Sequence, residues 1–123
     1  MAGRPLVSII DDDESVSESL PDLLKEIGYD AQAFASAEEY LSSGAVGKAD
    51  CLILDIGLPG MSGPSLYEEL LRRGDKVPVV FITARGDETI RSRLMEQGAV
   101  ECLFKPFSDT ALLRALDAAV RKI

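Results

Sequence analysis

The chain has 123 residues and contains no histidine. A Ser-His or Cys-His nucleophile pair is therefore excluded, and so is a zinc site that needs an imidazole ligand. Cysteine is also scarce, since the sequence has only Cys51 and Cys102, in separate apolar runs without CxxC spacing. We expect both to be buried structural thiols that form no disulfide with each other.

Basic residues are outnumbered, with 13 Lys and Arg against 21 Asp and Glu and a formal net charge of −8. Binding to nucleic acid needs a basic face that displaces counterions. We therefore expect no direct contact with nucleic acid, and no attachment to an anionic membrane surface.

Long apolar runs are missing as well. Runs such as residues 51–54 are far shorter than the ~20 residues that a membrane span needs. The N-terminal residues 1–5 carry no apolar stretch of the signal-peptide kind, which predicts a cytoplasmic protein. No repeat or linker interrupts the sequence, so residues 1–123 are expected to form one domain.

The sequence does contain apolar runs of strand length that alternate with segments of helical period. The runs are continuous rather than alternating, as is typical of parallel strands buried on both faces. The predicted strands are residues 5–10, 31–34, 51–54, 78–82 and 100–104.

Helix boundaries are marked by capping residues. Ser36 and Glu39 have the spacing of a capping box, and Pro64 suits a first helical position. Pro21 falls inside the first helix and is expected to kink or split it. The last helix is predicted over residues 109–122. Glycines that fit helix C-termini are Gly28, Gly74 and Gly98.

Five strands alternating with five helices predict an α/β fold with a doubly wound parallel sheet. At this length the five-stranded, flavodoxin-like order 2-1-3-4-5 fits best. In that order ligands bind at the carboxyl ends of the strands, beside the switch between strands 1 and 3.

Polar residues follow four of the predicted strands. Strand 1 ends in Asp11, Asp12 and Asp13, and strand 3 ends in Asp55. Because strands 1 and 3 are neighbours, Asp11, Asp12 and Asp55 are expected to form one acidic pocket. Clustered carboxylates repel one another unless a cation offsets them, and hard oxygen ligands suit Mg²⁺ or Mn²⁺. Asp13 is equally well explained as a helix N-cap.

The other two strand ends carry Thr83 and Lys105. A carboxylate beside a divalent metal can attack phosphorus and form an acyl phosphate. The charge on a transferring phosphoryl group needs ammonium, hydroxyl and backbone N–H groups around it. Lys105, Thr83 and the backbone of the small residue Ala84 are placed to supply these groups.

Taken together, these residues resemble the response-regulator receiver family, the domain of CheY-like and FixJ-like proteins. The resemblance covers essentially the whole chain, with the motifs in family order and at family spacing. The matching stretches are residues 7–13 (VSIIDDD), 52–63 (LILDIGLPGMSG), 79–84 (VVFITA) and 104–107 (FKPF).

The resemblance implies a role for each residue of the acidic pocket. Asp55 matches the phosphoacceptor, and Asp12 matches the direct metal ligand. Asp11 would act on the metal through water, and the carbonyl of Ile56 would be a further ligand. A sensor histidine kinase is the implied phosphoryl donor, and the FixJ-like character favours a transcriptional output in a longer protein.

The resemblance also implies how the domain switches. Thr83 matches a hydroxyl that moves to the phosphoryl group, Lys105 matches the lysine that binds a phosphoryl oxygen, and Pro106 matches a proline that usually follows a cis peptide bond. The family commonly has an aromatic residue where this chain has Cys102. We therefore expect switching to depend on Thr83 and on the loop at 84–89, which contains Gly86. A homodimer through helix 4, strand 5 and helix 5 is the expected readout.

Two alternatives remain at this stage. A phosphatase of the haloacid-dehalogenase type would use Asp11 as nucleophile and Asp13 as acid/base, but it also needs an acidic pair beyond its lysine. Asp109 and Asp117 are the nearest candidates, and they lie apart in a helical segment. The second alternative is a pseudo-receiver that serves only for interaction, although none of the pocket residues is missing.

Overall fold

Five parallel strands form one sheet in the computed structural model, which describes residues 3–84 and 88–121. The strands are β1 (Leu6–Ile10), β2 (Asp30–Phe34), β3 (Cys51–Asp55), β4 (Val79–Thr83) and β5 (Glu101–Phe104). The helices that alternate with them are α1 (Glu14–Glu26), α2 (Ala37–Ser42), α3 (Gly63–Arg72), α4 (Glu88–Gln97) and α5 (Asp109–Arg121).

The strand order is β2-β1-β3-β4-β5, which confirms the predicted topology. All five predicted strands are present, and their bounds differ from the prediction by one residue. Asp55 and Thr83 are the last residues of β3 and β4 rather than the residues after them. These two predicted site residues therefore lie on the sheet itself, where main-chain hydrogen bonds fix their positions.

Helices cover both faces of the sheet, and each face has its own core. Every residue of β3 and β4 is buried, as expected for central strands. The edge strand β2 is largely exposed, so burial on both faces was wrong for that strand. One core includes Ile10, Tyr40, Leu54, Leu66, Phe81 and Leu94, and the other includes Val7, Ile9, Leu24, Ile53, Ile82, Leu112 and Leu116.

The two thiols are free and buried, as the sequence predicts. Cys51 belongs to the core that α5 covers, whereas Cys102 belongs to the core on the opposite face of the sheet. β4 also separates the strands that carry them. Burial raises the pKa of the Cys51 thiol to about 12, and it raises the pKa of Cys102 as well. Both side chains are core residues.

Capping residues start the helices. Asp13 is the N-cap of α1, with its carboxylate accepting the N–H of Ser15 at 3.0 Å. Ser36 caps α2 through the N–H of Glu39. The Glu39 carboxylate accepts the N–H of Ala35 rather than that of Ser36, so the capping box closes one residue earlier than predicted. Three glycines at helix C-termini have positive φ, as predicted, namely Gly28, Gly74 and Gly98.

Two helix predictions are corrected in part. Pro21 lies inside α1, and the helix is continuous from Glu14 to Glu26, so Pro21 does not split it and a kink stays a prediction. Pro64 is the second residue of α3, because Ser62 is the N-cap and Gly63 comes first. α5 is described to Arg121, and Lys122 lies outside the described residues.

None of the helices in residues 3–84 and 88–121 combines the length and the apolar character that crossing a bilayer requires.

Candidate functional site

The carboxyl ends of β1 and β3 bring three aspartates together. Ile10 pairs with Leu54 in the sheet, and the acidic residues follow directly on each strand. Oxygen atoms of Asp11, Asp12 and Asp55 all lie within 4.8 Å of one another. The acidic pocket predicted from the sequence is therefore present in the structure.

Asp11 is the fully buried member of the pocket. Its Oδ1 accepts the N–H of Asp13 at 2.9 Å, and its Oδ2 accepts a hydrogen bond from Nζ of Lys105 at 2.8 Å. Both carboxylate oxygens are thus engaged within the protein. This geometry suits an indirect role toward a cation better than direct ligation.

Asp55 is buried, with 7% of its surface exposed. Its Oδ1 accepts the N–H of Gly57 at 3.2 Å, and its Oδ2 lies 3.8 Å from Nζ of Lys105. Burial raises the pKa of Asp55 to about 6, and the nearby charge of Asp11 adds to the rise, while Gly57 and Lys105 oppose it. A cation in the pocket would favour the ionised, nucleophilic form of this carboxylate.

Lys105 follows β5, and its backbone N–H donates to the carbonyl of Thr83 at 2.7 Å. Burial disfavours the charge of its side chain. The hydrogen bond to Asp11 and the carboxylate of Asp55 outweigh that effect, so the pKa of Lys105 is raised and it remains an ammonium. The peptide bond between Lys105 and Pro106 is cis, as the resemblance implied.

Thr83 is buried at the end of β4, and the next residue, Ala84, is exposed. The predicted switch loop continues through residues 85–87, which include Gly86 and lie outside the described residues. In the sheet Thr83 pairs with Phe104, whereas Cys102 pairs with Phe81. The aromatic residue beside Thr83 is therefore Phe104, a half-buried side chain that packs against the same core as Cys102.

The loop after Asp55 closes tightly onto the end of β3. The carbonyl of Ile56 accepts the N–H of Gly63 at 3.1 Å, which leaves one lone pair for a cation. A Cβ at Gly63 would lie 2.2 Å from the carbonyl oxygen of Asp55, so only glycine fits there. Our sequence reasoning missed the contributions of Gly57 and Gly63. The signal available in the sequence was the presence of three glycines between Asp55 and Pro64.

The donor set fits a hard divalent cation. It consists of carboxylate oxygens, with the exposed Asp12 giving access to water and two buried aspartates behind it. Mg²⁺ binds through one or two carboxylates and keeps several waters, and Mn²⁺ accepts the same ligands. The residues present therefore match the expected Mg²⁺ or Mn²⁺ chemistry.

Two of the residues that a dehalogenase-type phosphatase would need beside Asp11 make other contacts. The Asp13 carboxylate accepts hydrogen bonds from both the N–H and the hydroxyl of Ser15, as expected for the N-cap of α1. Asp117 pairs with Arg121 at 3.2 Å on the exposed side of α5. Neither residue joins the cluster formed by Asp11, Asp12 and Asp55 among the described residues.

Comparison of the sequence with known proteins gives consistent matches. The family profile described as response regulator receiver domain matches residues 7–117. Nodulation protein W of Bradyrhizobium diazoefficiens is 40% identical over 119 residues, which are 97% of this chain and 52% of that protein. The transcriptional regulatory protein FixJ of Azorhizobium caulinodans is 37% identical over 114 residues, or 93% of this chain and 54% of that protein. The chain thus spans about half the length of these curated relatives.

Solved structures agree with these matches. The response regulator StyR has a TM-score of 0.89 and 41% identity, covering 97% of this chain and 60% of that one. The crystal structure of FixJ-N matches with a TM-score of 0.87 and 31% identity, covering 99% of this chain and 98% of that one.

Proposed function

The chain belongs to the response regulator receiver domain family, and from this premise we propose that Asp55 accepts a phosphoryl group from a sensor histidine kinase. Receivers of two-component regulators are phosphoacceptors rather than enzymes in the usual sense. The observation that carries the assignment is the position of Asp55. Its carboxylate lies within 4.8 Å of carboxylate oxygens of Asp11 and Asp12 and 3.8 Å from the Lys105 ammonium.

In the proposed transfer a carboxylate oxygen of Asp55 attacks the phosphorus of a phosphohistidine. The new P–O bond forms as the P–N bond breaks, and its electron pair leaves with the imidazole nitrogen, which takes up a proton. Lys105 binds a peripheral phosphoryl oxygen, and the hydroxyl of Thr83 and the N–H of Ala84 bind the others. These groups stabilise the charge that spreads over the phosphoryl oxygens in the transition state.

We assign the divalent-cation site to the same pocket. Asp12 and Asp55 would hold Mg²⁺ or Mn²⁺ directly, Asp11 would act through water, and the carbonyl of Ile56 would use its remaining lone pair. A cation held there would neutralise charge on the phosphoryl oxygens and on the crowded carboxylates.

The output of the whole protein is a further part of the proposal. The chain spans about half the length of relatives such as the transcriptional regulatory protein FixJ. We therefore propose that residues 1–123 are the receiver domain of a longer, cytoplasmic transcriptional regulator. We also propose that phosphorylation promotes a homodimer through α4, β5 and α5. The domain itself would not touch DNA, in keeping with its net charge of −8.

The decisive experiment is to locate the phosphoryl group. The protein is incubated with Mg²⁺ and a small acyl phosphate as phosphoryl donor. The aspartyl phosphate that forms on the protein is then trapped by reduction, and the peptide that carries this label is identified by mass spectrometry. We expect the label on Asp55 and none in Asp55→Asn. A label on Asp11 would instead indicate the phosphatase chemistry, and no label at all would indicate a pseudo-receiver.

A further inference from the structure

The loop between β3 and α3, residues 56–62, is held from outside by the carboxylate of Glu38 in α2. The Oε2 atom of Glu38 accepts the backbone N–H of Met61 at 2.8 Å. This hydrogen bond lowers the pKa of Glu38, so the side chain is a carboxylate throughout the neutral range. An otherwise exposed acidic residue thus makes a specific contact with the main chain of the loop.

The loop backbone is shaped for this contact. Gly60 has a φ of +70°, in the left-handed region that disfavours other residues. A Cβ at Gly60 would lie 2.6 Å from Oε2 of Glu38. Any side chain at residue 60 would therefore both strain the loop and displace the carboxylate that holds it.

Other hydrogen bonds hold the two ends of the loop. The N–H of Gly57 donates to Oδ1 of Asp55 at 3.2 Å, and the N–H of Gly63 donates to the carbonyl of Ile56 at 3.1 Å. These bonds fix the base of the loop next to the acidic pocket. Glu38 fixes its outer part and links it to α2, an element that supplies no residue to the pocket.

We propose that Glu38 is a positioning residue for the divalent-cation site, an inference that rests on the proposed function. By holding Met61 it keeps the loop from tilting on its base, and so keeps the Asp55 carboxylate and the Ile56 carbonyl in a fixed relation. Mg²⁺ demands near-ideal octahedral geometry, so small displacements of its ligands weaken binding. α2 thereby contributes to cation affinity although it supplies none of the residues that we assign to the cation.

The test uses Mn²⁺ as the probe, with free Mn²⁺ measured by electron paramagnetic resonance. Glu38→Ala removes the acceptor, and we expect it to weaken Mn²⁺ binding ~3- to 10-fold, the effect of losing about one hydrogen bond. Glu38→Gln keeps an acceptor oxygen, and its Mn²⁺ affinity is expected to stay within about twofold of the wild-type affinity. Glu68→Ala is the matched control, because it removes the same charge from an exposed position on α3.

A second readout reports on the tether directly. Amide hydrogen exchange at Met61 should be faster in Glu38→Ala than in wild type and nearly unchanged in Glu38→Gln. Glu38→Asp keeps the charge and a residue suited to the first turn of α2, but it is one methylene too short to reach Met61. It should resemble Glu38→Ala, and it decides the question if the alanine variant does not fold.

Wild-type Mn²⁺ affinity in both Glu38→Ala and Glu38→Asp would overturn the inference. An equal loss in Glu68→Ala would also overturn it, since the effect would then come from net charge alone. In either case the proposed function stands, provided that the wild-type protein still binds Mn²⁺ and accepts a phosphoryl group. If the wild-type protein does neither, the proposed function fails and the inference fails with it.

Discussion

Nζ of Lys105 lies 2.8 Å from Oδ2 of Asp11 and 3.8 Å from Oδ2 of Asp55. In the described structure the ammonium is thus paired with the aspartate that we assign an indirect role. A phosphoryl group on Asp55 would offer stronger, doubly charged acceptors close to the same nitrogen. Lys105 is therefore already near the place where charge would develop in the proposed transfer, which would need little reorganisation of the pocket.

The first prediction concerns this lysine. Lys105→Met keeps most of the side-chain length but removes the charge, and we expect phosphorylation by a small acyl phosphate to slow ~100-fold, the order found when one charge-stabilising donor is lost. The rate is followed by intact mass spectrometry in the presence of Mg²⁺. Lys76→Met is the control, because Lys76 is exposed. If Lys105→Met were phosphorylated at a rate within about twofold of the wild-type rate, Lys105 would have no role in the transfer step.

The second prediction separates two neighbouring aspartates. Asp12→Asn should weaken Mn²⁺ binding by about tenfold or more, because a ligating carboxylate is replaced by a neutral amide. Asp13→Asn should leave it nearly unchanged, since asparagine caps a helix as well as aspartate does and Asp13 serves as the N-cap of α1. Both variants lose one negative charge, so the comparison isolates ligation. Equal Mn²⁺ affinities in the two variants would contradict the assignment of Asp12.

The fold followed from the sequence because its signals are local. Apolar runs, glycines with positive φ and capping residues each depend on a few neighbouring positions, and the strand order follows from the number of strands and their right-handed crossovers. The acidic pocket followed from the same order, which makes Asp11 and Asp55 neighbours. Pro21 shows the limit of local rules, because tertiary packing of α1 against the sheet outweighs the loss of one helical hydrogen bond.

The parts of the site that were not foreseen depend on contacts between elements. The hydrogen bond from Met61 to Glu38 joins residues 23 positions apart, and no spacing rule indicates it. Likewise, the pairing of Thr83 with Phe104 depends on the register of β5, which the apolar pattern of four residues does not define. The sequence shows which residues reach the edge of the sheet, but not which of their neighbours hold them there.

The third prediction concerns pH and the raised pKa of Asp55. A carboxyl whose pKa rises from an ordinary 3.8 to about 6 in the folded protein binds its proton more tightly when folded. Its contribution to stability is therefore present below pH ~4 and is lost as the pH rises to ~6. In a cation-free buffer, Asp55→Asn should gain stability relative to wild type across this interval, by on the order of 2 kcal/mol.

The measurement is urea unfolding at several pH values, followed by far-ultraviolet circular dichroism. Asp22→Asn, on the exposed side of α1, serves as the control and should show no such gain. A stability difference between Asp55→Asn and wild type that stays constant from pH 4 to pH 6 would contradict the raised pKa. Addition of Mg²⁺ should reduce the advantage of Asp55→Asn, since the cation stabilises the wild-type carboxylate.

The fourth prediction concerns switching. We expect Thr83→Ala to lose the conformational change that a phosphoryl mimic such as beryllofluoride induces, because the hydroxyl can no longer contact the mimic. Cys102→Ala should keep most of the change. The Cys102 side chain is small, is packed into the core and lies beside Phe81 rather than beside Thr83. Amide chemical shifts of α4 and β5, measured with and without the mimic, report the change.

Phe104 gives this comparison its sharpest control, because it is the residue that pairs with Thr83 across β4 and β5. If switching depends on movement of the loop after Thr83, Phe104→Leu should resemble Cys102→Ala and retain the shifts in α4. If an aromatic side chain on β5 transmits the signal, Phe104→Leu should lose those shifts as Thr83→Ala does. A large loss in Cys102→Ala would be the third result, and it would show that the thiol position itself couples the pocket to α4. Of Thr83, Cys102 and Phe104, only Thr83 would touch the phosphoryl group, and it would do so through its hydroxyl. Thr83→Ser keeps that hydroxyl, so it should retain the full response whichever of the three results is found.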